Sequence, residues 1–329
     1  MNKDYFKNKN VLVTGSTGFI GTNLIKKLKE SGANVIGVIY KKKPQIDIQD
    51  VTYITADLTK PEDCNLVCKE IDIVFMCAAN SSGASVMETT PLAHLTPNVV
   101  MNSLMLEAAY KNNVKKFIFI SSNTVYPVTD YPVGENDVTY EFFHKYHIVG
   151  WMKLFSEKMC EMYLSHIKNP MNTLIVRPGN IYGPYDKYNK KESKVIAALI
   201  RRFAEKESPL NVWGDGQDIK DFIFIDDFID GLILVASDDG FNGPINISSG
   251  ESVTIKKVID TLCEITKQSN LEIFYDSNKP TMIPVRLMSN KLAQSLFNFK
   301  INHSLFQGLK KTYDWYKVFY LKNKPEDLD

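Results

Sequence analysis

Three evenly spaced glycines carry the first chemical signal. Gly15, Gly18 and Gly21 stand in the run VLVTGSTGFIG, after the apolar residues Val11, Leu12 and Val13 and before an amphipathic pattern of Phe19, Ile20, Leu24, Ile25 and Leu28. Strand, tight turn and helix N-terminus in that order suit a diphosphate. The helix start offers unpaired backbone N–H groups and the positive end of its macrodipole. A side chain at the glycines would block the turn, the approach of the diphosphate or the packing of helix on strand. The context makes this a dinucleotide fingerprint rather than an ordinary Gly-rich turn. Thr17, Phe19 and Ile20 lie inside it and join the glycines as cofactor contacts.

Further positions bear on which dinucleotide binds. An acid at the tip of the second strand favours NAD, whereas basic residues tolerate a 2′-phosphate. Here Tyr40 and then Lys41, Lys42 and Lys43 follow Ile39, and the acid is absent. That leans toward NADP, but three lysines in a loop also make a plain solvated turn, so NAD or NADP stays open. Asp57, beside Leu58, is placed to accept from the adenine amino group, or else to cap a helix beginning near Pro61. Ala78 and Ala79 end an apolar run and let a cofactor lie close to the backbone, ahead of the small polar residues Asn80, Ser81, Ser82 and Gly83. The five cysteines, Cys64, Cys68, Cys77, Cys160 and Cys263, are scattered and odd in number, which fits reduced thiols. Cys64 and Cys68 lack a second ligand pair, so no metal site is expected.

These residues need a scaffold, and the pattern supplies one. Strands are predicted at 11–13, 34–40, 51–55, 71–79 and 116–121, with helices between them, including 98–110. Alternation of this kind argues an α/β fold, a Rossmann-type doubly wound parallel sheet. An irregular stretch at 123–146 precedes a long helix at 148–167 and a strand at 172–176. Beyond Arg177 the character changes to a polar, aromatic loop and shorter elements, with a terminal helix at 305–319. The expected division is a dinucleotide-binding domain at 1–177, to which 222–248 return, and a smaller C-terminal substrate-binding lobe at 178–221 and 249–329.

Bulk properties narrow the partners. The chain has 329 residues, 44% hydrophobic and 23% charged, which is the make-up of a globular protein with a large core. A net charge of +1 gives no reason to expect nucleic acid. No apolar run approaches the ~20 residues that span a bilayer. The N-terminus MNKDYFKNKN lacks the apolar core of a signal peptide, so a cytoplasmic location with no membrane is expected.

Taken together, VTGSTGFIG, the AAN stretch, Asn98, SSNTVYP, the helix around Lys153, RPGNIYGP and WGDGQDIKDFIFIDD resemble the extended short-chain dehydrogenase/reductase family. Within it they resemble the nucleotide-sugar epimerase, dehydratase and reductase branch, and VIAALIRRF, VWGDGQ and DFIFIDD in that order resemble GDP-sugar enzymes. The resemblance covers nearly the whole chain. It implies hydride transfer between a sugar carbon and the nicotinamide, with a hydroxyl side chain holding the sugar oxygen. A tyrosine, its pKa lowered by a nearby ammonium, moves the proton. By the resemblance, Ser122 is that hydroxyl, Thr124 a second candidate and Lys153 the ammonium that also grips the nicotinamide ribose; Asn98 lies on the cofactor side. Pro178 and Ile181 flank the nicotinamide. Asn180, Val195, Arg202, Trp213, Lys220 and Arg286 hold the nucleotide-sugar, with Trp213 stacked near the base or else buried in the core. Lys220 stands where many relatives have an arginine and loses the bidentate fork. The Thr-Asp-Glu of dehydratases is absent, since Ser122, Asn123 and Thr124 occupy that place.

One departure stands out. The family pattern is Tyr-x-x-x-Lys, one helical turn apart. Lys153, with Glu157, Glu161 and Tyr163 after it, fixes the register and leaves Val149 at the tyrosine position; aligning on Tyr146 instead would put Gly150 in place of the lysine. Three explanations remain open. Tyr146, two turns before Lys153, delivers a hydroxyl from further away; His147 acts as base; or the protein binds cofactor and sugar without fast turnover. The first two readings give a dehydrogenase, reductase or 4-epimerase of a GDP- or UDP-linked sugar, serving surface-polysaccharide sugar synthesis. The third gives a dinucleotide-binding sensor or assembly protein. By the resemblance, the helices at 98–110 and 148–167 pair two copies into a homodimer.

Overall fold

The computed structural model describes residues 4–323, apart from 81–89, 91, 191, 280 and 281. Ser81, Ser82 and Gly83 therefore lie outside the described residues. In chain order the elements are β1 (Asn10–Val13), α1 (Phe19–Glu30), β2 (Asn34–Ile39), β3 (Val51–Thr55), α2 (Pro61–Val67), β4 (Ile73–Met76), α3 (Leu92–Lys111), β5 (Lys116–Ile120) and α4 (His147–Ser165). Next come β6 (Asn172–Pro178), β7 (Asn180–Tyr182), α5 (Val195–Ala204), β8 (Leu210–Trp213), β9 (Ile219–Lys220), β10 (Phe222–Phe224), α6 (Ile225–Ala236) and β11 (Pro244–Ile247). The chain closes with β12 (Val253–Thr254), α7 (Ile255–Thr266), β13 (Ile273–Asp276), β14 (Val285–Arg286), α8 (Lys291–Phe297) and α9 (Leu305–Trp315).

Seven strands form one all-parallel sheet in the order β11-β6-β5-β4-β1-β2-β3. The order reverses between β1 and β4, the place where open α/β sheets bind ligands at their carboxyl ends. Strand side chains alternate between the two faces. Val11, Val13, Phe75, Ile118 and Leu174 pack on one face with Leu24, Ile25 and Leu28 of α1. Leu12, Val74, Met76, Phe117 and Phe119 pack on the other with Met105, Leu106 and Cys160 of α3 and α4. Both faces are covered, so β4 and β5 read as unbroken apolar runs. Lys116 is the exception; its buried ammonium donates to the carbonyls of Ala236 (3.0 Å) and Asp238 (2.6 Å) and pairs with Asp239.

The C-terminal segments add small layers rather than more of the main sheet. β10 pairs in parallel with β7, β9 lies between β12 and β14, and β13 pairs with β8. β11 alone returns to the main sheet, against β6, while α6 packs on α1.

The first expected helix starts earlier than the pattern predicts. α3 runs from Leu92, so Asn98 lies inside it and not at its opening, and Pro97 sits within the helix. Proline has no N–H to give the carbonyl four residues back. That carbonyl, of Ala93, accepts instead from Asn80 Nδ2 at 2.9 Å. At the other end of the chain the helix expected at 305–319 is α-helical to Trp315, and a π-helical turn, Tyr316–Tyr320, follows it.

Candidate active site

The carboxyl ends of β1, β4, β5 and β6 bring Gly15, Ala78, Ser122 and Asn180 to one edge of the sheet. At the first of these the chain turns sharply. Gly15 has φ +61°, and a Cβ there would lie 2.8 Å from the Ala78 Cα and 2.9 Å from the Cys77 carbonyl. Only glycine fits a left-handed turn pressed against another strand end. Thr14 Oγ1 fastens the same contact by accepting from the N–H groups of Cys77 and Ala78, both at 3.0 Å. Gly18 is the N-cap of α1 and no side chain caps that helix. The first N–H groups of α1, from Phe19 and Ile20 onward, are thus left for an anion, and the cradle fits the diphosphate of a nicotinamide dinucleotide.

Asn98 has a different task from the expected cofactor contact. It is buried, its Oδ1 accepts from the Asn80 N–H (2.8 Å), and its Nδ2 donates to the carbonyls of Asn80 (3.0 Å) and His94 (2.6 Å). It holds the backbone beyond β4 in place. Asp57 is likewise engaged locally. Its Oδ1 accepts from Thr59 N–H (3.0 Å) and Thr59 Oγ (2.7 Å), bonds that lower its pKa. It closes its own turn and does not cap α2, whose N-cap is Lys60. Leu58 is buried in the core. Tyr40 is exposed at the tip of β2, with the Lys41 ammonium 4.9 Å from its ring centroid.

Ser122 and Lys153 are brought to the end of β5. Lys153 donates to the Ile120 carbonyl at 2.8 Å, two residues before Ser122, and burial pushes its ammonium down to about 8. Ser122 Oγ accepts from Thr124 N–H (3.2 Å) and Thr124 Oγ1 (3.0 Å), which leaves its own proton to give. Gly150 lets α4 approach this turn: a Cβ there would lie 2.8 Å from the Thr124 carbonyl and 2.6 Å from the Phe142 ring. No lysine side chain fits at that position.

Tyr146 stands just outside the helix that carries Lys153. α4 begins at His147 and Tyr146 is its N-cap. The charges acting on the Tyr146 phenol are those of Arg286, which lowers its pKa, and Asp218; burial dominates and pushes it up to about 12. The charged groups around Lys153 are Glu157, Cys77 and Cys160. Burial thus raises the Tyr146 phenol more than the neighbouring guanidinium lowers it. His147 is exposed, its ring edge-on to Phe142.

The other end of the site is cationic. Arg286 is buried, donates to the carbonyls of Pro127 (2.8 Å) and Tyr126 (3.1 Å), and has a buried Nε with no partner among the described residues. Burial pushes its pKa down to about 10. Lys220 lies opposite it in the β9–β14 pair and donates to the Ile283 and Pro284 carbonyls and to Asp218. Asn180 Nδ2 donates to the Asp221 carbonyl at 2.9 Å. Trp213 is 62% exposed, which excludes the core alternative. Val195 opens α5 and is also exposed, whereas Pro178 and Ile181 are buried. Arg202 is a correction: both edges of its guanidinium used here are taken by Glu207, at 2.8 and 2.7 Å, so it braces α5.

Several residues that shape the site carried no clear signal in the sequence. Arg177 makes a buried fork with Glu157 (3.0 and 2.6 Å), and its Nη1 donates to the Tyr126 hydroxyl and the Glu135 carbonyl. Ser121 donates to the same Glu157, and the Tyr126 hydroxyl donates to Asn246 at 2.6 Å. Asp221 accepts from Ser249 N–H and Oγ and from Gly250 N–H, fixing the turn after β11. A charged residue inside a strand-like apolar run was the available clue for Arg177 and Asp221. Among the described residues no group of three or more His, Cys, Asp or Glu side chains is placed to hold a metal, and no helix is long and apolar enough to cross a membrane.

Fold and site together define a dinucleotide-binding α/β protein with a hydroxyl–lysine centre at a strand end and a buried cation beside it. Residues 11–248 match the sequence profile of the NAD dependent epimerase/dehydratase family, and the chain belongs to that family. It is 28% identical over 330 residues to GDP-L-fucose synthase 1 of Arabidopsis thaliana, covering 96% of this chain and 94% of that one. It is also 28% identical to GDP-mannose 3,5-epimerase of the same plant, covering 98% and 86%. Among solved structures, UDP-glucuronic acid 4-epimerase from Bacillus cereus, in complex with UDP-glucuronic acid and NAD, superposes with a TM-score of 0.81 at 26% identity, covering 95% of this chain and 100% of that one.

Proposed function

We propose that the protein is an NAD(P)-dependent oxidoreductase acting at C4 of a nucleotide-linked sugar, GDP-hexose or GDP-heptose before UDP-sugar, as dehydrogenase, reductase or 4-epimerase. One observation carries this reading. A single short segment, 120–127, holds both halves of the required site: Lys153 and Ser122 at its start and the Arg286 guanidinium on its last two carbonyls. A group that reacts at Ser122 is thereby tied to an anion bound at Arg286, as in a sugar attached to a diphosphate. The relatives named for GDP-sugars favour the guanine nucleotide.

When bound, the dinucleotide accepts or returns a hydride. The Gly15–Ile20 turn would hold its diphosphate and Lys153 its nicotinamide ribose. Ser122 donates its free proton to the sugar oxygen. Val149 offers no proton carrier, so the proton exchanged there passes to or from Lys153, whose desolvated ammonium gives it up far more easily than a solvated lysine. Tyr146 joins Arg286 and Lys220 on the sugar-diphosphate side. A non-catalytic sensor has no use for this second half of the site. The exposed aromatic face of α4, with Trp151 and Phe155, supports a homodimer through α3 and α4. A cytoplasmic location and a role in surface-polysaccharide sugar synthesis complete the proposal.

The test is to denature fresh protein, identify released nucleotides, and then assay GDP- and UDP-hexoses with NAD and NADP. Retained dinucleotide points to an epimerase; an empty protein points to an exchanging cofactor. Alcohol oxidation should speed up as pH rises through about 8, where Lys153 loses its proton, and Lys153→Met should abolish turnover. Turnover surviving Lys153→Met ends this mechanism, and failure to bind either dinucleotide ends the enzyme reading.

A further inference from the structure

Gln45 lies half-buried in the loop between β2 and β3, beyond Tyr40 and Lys41. Its Nε2 donates to the Thr17 carbonyl at 3.3 Å and to the Tyr185 carbonyl at 3.2 Å. A primary amide has two N–H groups. Here one is spent on each half of the molecule. Thr17 belongs to the glycine turn, and Tyr185 to the loop joining β7, which begins at Asn180, to α5, which begins at Val195.

A second tie runs alongside. Asn23 Nδ2, in the second turn of α1, donates to the Phe19 carbonyl (2.9 Å) and to the Pro184 carbonyl (3.1 Å). Tyr185 itself has little freedom to adjust. It adopts φ +71°, a region costly for a bulky side chain, and its ring is wedged edge-on against Trp315 (4.9 Å) and Phe319 (5.7 Å). The same face of α1 places the Lys26 ammonium 5.5 Å from the Tyr185 ring centroid. The position of this loop is thus referenced to the cofactor turn.

We propose that Gln45 is a positioning residue that couples occupancy of the dinucleotide site to the nucleotide-sugar loop. This rests on the nucleotide-sugar reading above. Ordering the glycine turn round a diphosphate fixes one acceptor of the Gln45 amide, and the amide passes that placement to Tyr185. Each ligand then tightens the other by the same factor, because coupling between binding sites is reciprocal. With one or two neutral hydrogen bonds carrying the effect, the factor is about three- to tenfold.

The experiment is calorimetric titration of the full chain with GDP, with and without saturating dinucleotide. The wild type should bind GDP about three- to tenfold more tightly when the dinucleotide is present. Gln45→Met keeps the length and removes both donors; it should remove most of that enhancement and leave the affinity for dinucleotide alone and the unfolding midpoint unchanged. Gln45→Glu, which sets acceptors against two carbonyls, should weaken GDP further. Asn23→Ala, a second variant at the parallel tie, should lose part of the enhancement. Full coupling in Gln45→Met, or none in the wild type, overturns the inference and leaves the nucleotide-sugar reading standing. A wild type that binds neither GDP nor UDP overturns both.

Discussion

Arg177 and Arg286 are buried to the same depth, at 3% and 2% exposure, and their surroundings treat them in opposite ways. Arg177 meets the Glu157 carboxylate in a two-point fork, and that pairing holds its charge well above the ordinary arginine range against the pull of burial. Among the described residues Arg286 donates to two backbone carbonyls and keeps an unpartnered Nε, and burial lowers it. A buried charge without a counter-charge costs stability. The fold cancels that cost at Arg177, near the carboxyl end of β6, and leaves it standing at Arg286, which bonds the segment that carries Ser122. The difference separates a charge that holds the scaffold from one held ready for a ligand anion.

The comparison breaks most visibly at Glu157. Glu157→Gln keeps the shape but strands the Arg177 cation, and should lower unfolding free energy by about 3–5 kcal/mol. Urea unfolding measures it. A loss below about 1 kcal/mol, the range of surface pairs, would mean that the fork does not hold the scaffold.

Arg286→Met tests the opposite member. It removes an uncancelled charge, so the unfolding midpoint should stay level or rise. The affinity for GDP should fall by about 10- to 100-fold, the worth of a charge-assisted hydrogen bond. If GDP binds the variant as well as the wild type, Arg286 is only a brace for the carbonyls of Tyr126 and Pro127.

The sheet and the glycine turn were legible because local pattern and global fold agree there. The run at 11–13, the Gly15 turn and the unbroken strands β4 and β5 each have one sensible reading. The start of α3 was not legible, because Pro97 and the polar residues before it look like a loop until the Asn80 amide takes up the freed Ala93 carbonyl. The site was legible where a residue acts from a fixed helical register, as Lys153 does. It was not where partners come from distant segments. Nothing near Arg286 in the sequence shows that its acceptors, the Pro127 and Tyr126 carbonyls, lie 159 and 160 residues away. Gln45 carried no signal at all, since its two acceptors lie 28 and 140 residues away.

Tyr146 sharpens the contrast further, because the guanidinium charge that lowers its phenol is that of Arg286. A phenol beside an uncancelled guanidinium can share in binding an anion, but one pushed up to about 12 by burial is a poor proton carrier near neutral pH. Tyr146→Phe removes one hydroxyl and no packing. It should raise KM for the nucleotide-sugar by about threefold, and at most tenfold, the range of one neutral hydrogen bond, while kcat holds. The pH dependence of kcat should keep its inflection near 8, since that belongs to Lys153. Steady-state kinetics across pH separate the two roles. A drop of tenfold or more in kcat with KM unchanged would make Tyr146 the proton carrier after all, and the cation that tunes it would be Arg286. In that case the two buried arginines would differ in a further way, one holding the fold and the other driving the chemistry rather than only binding the anion.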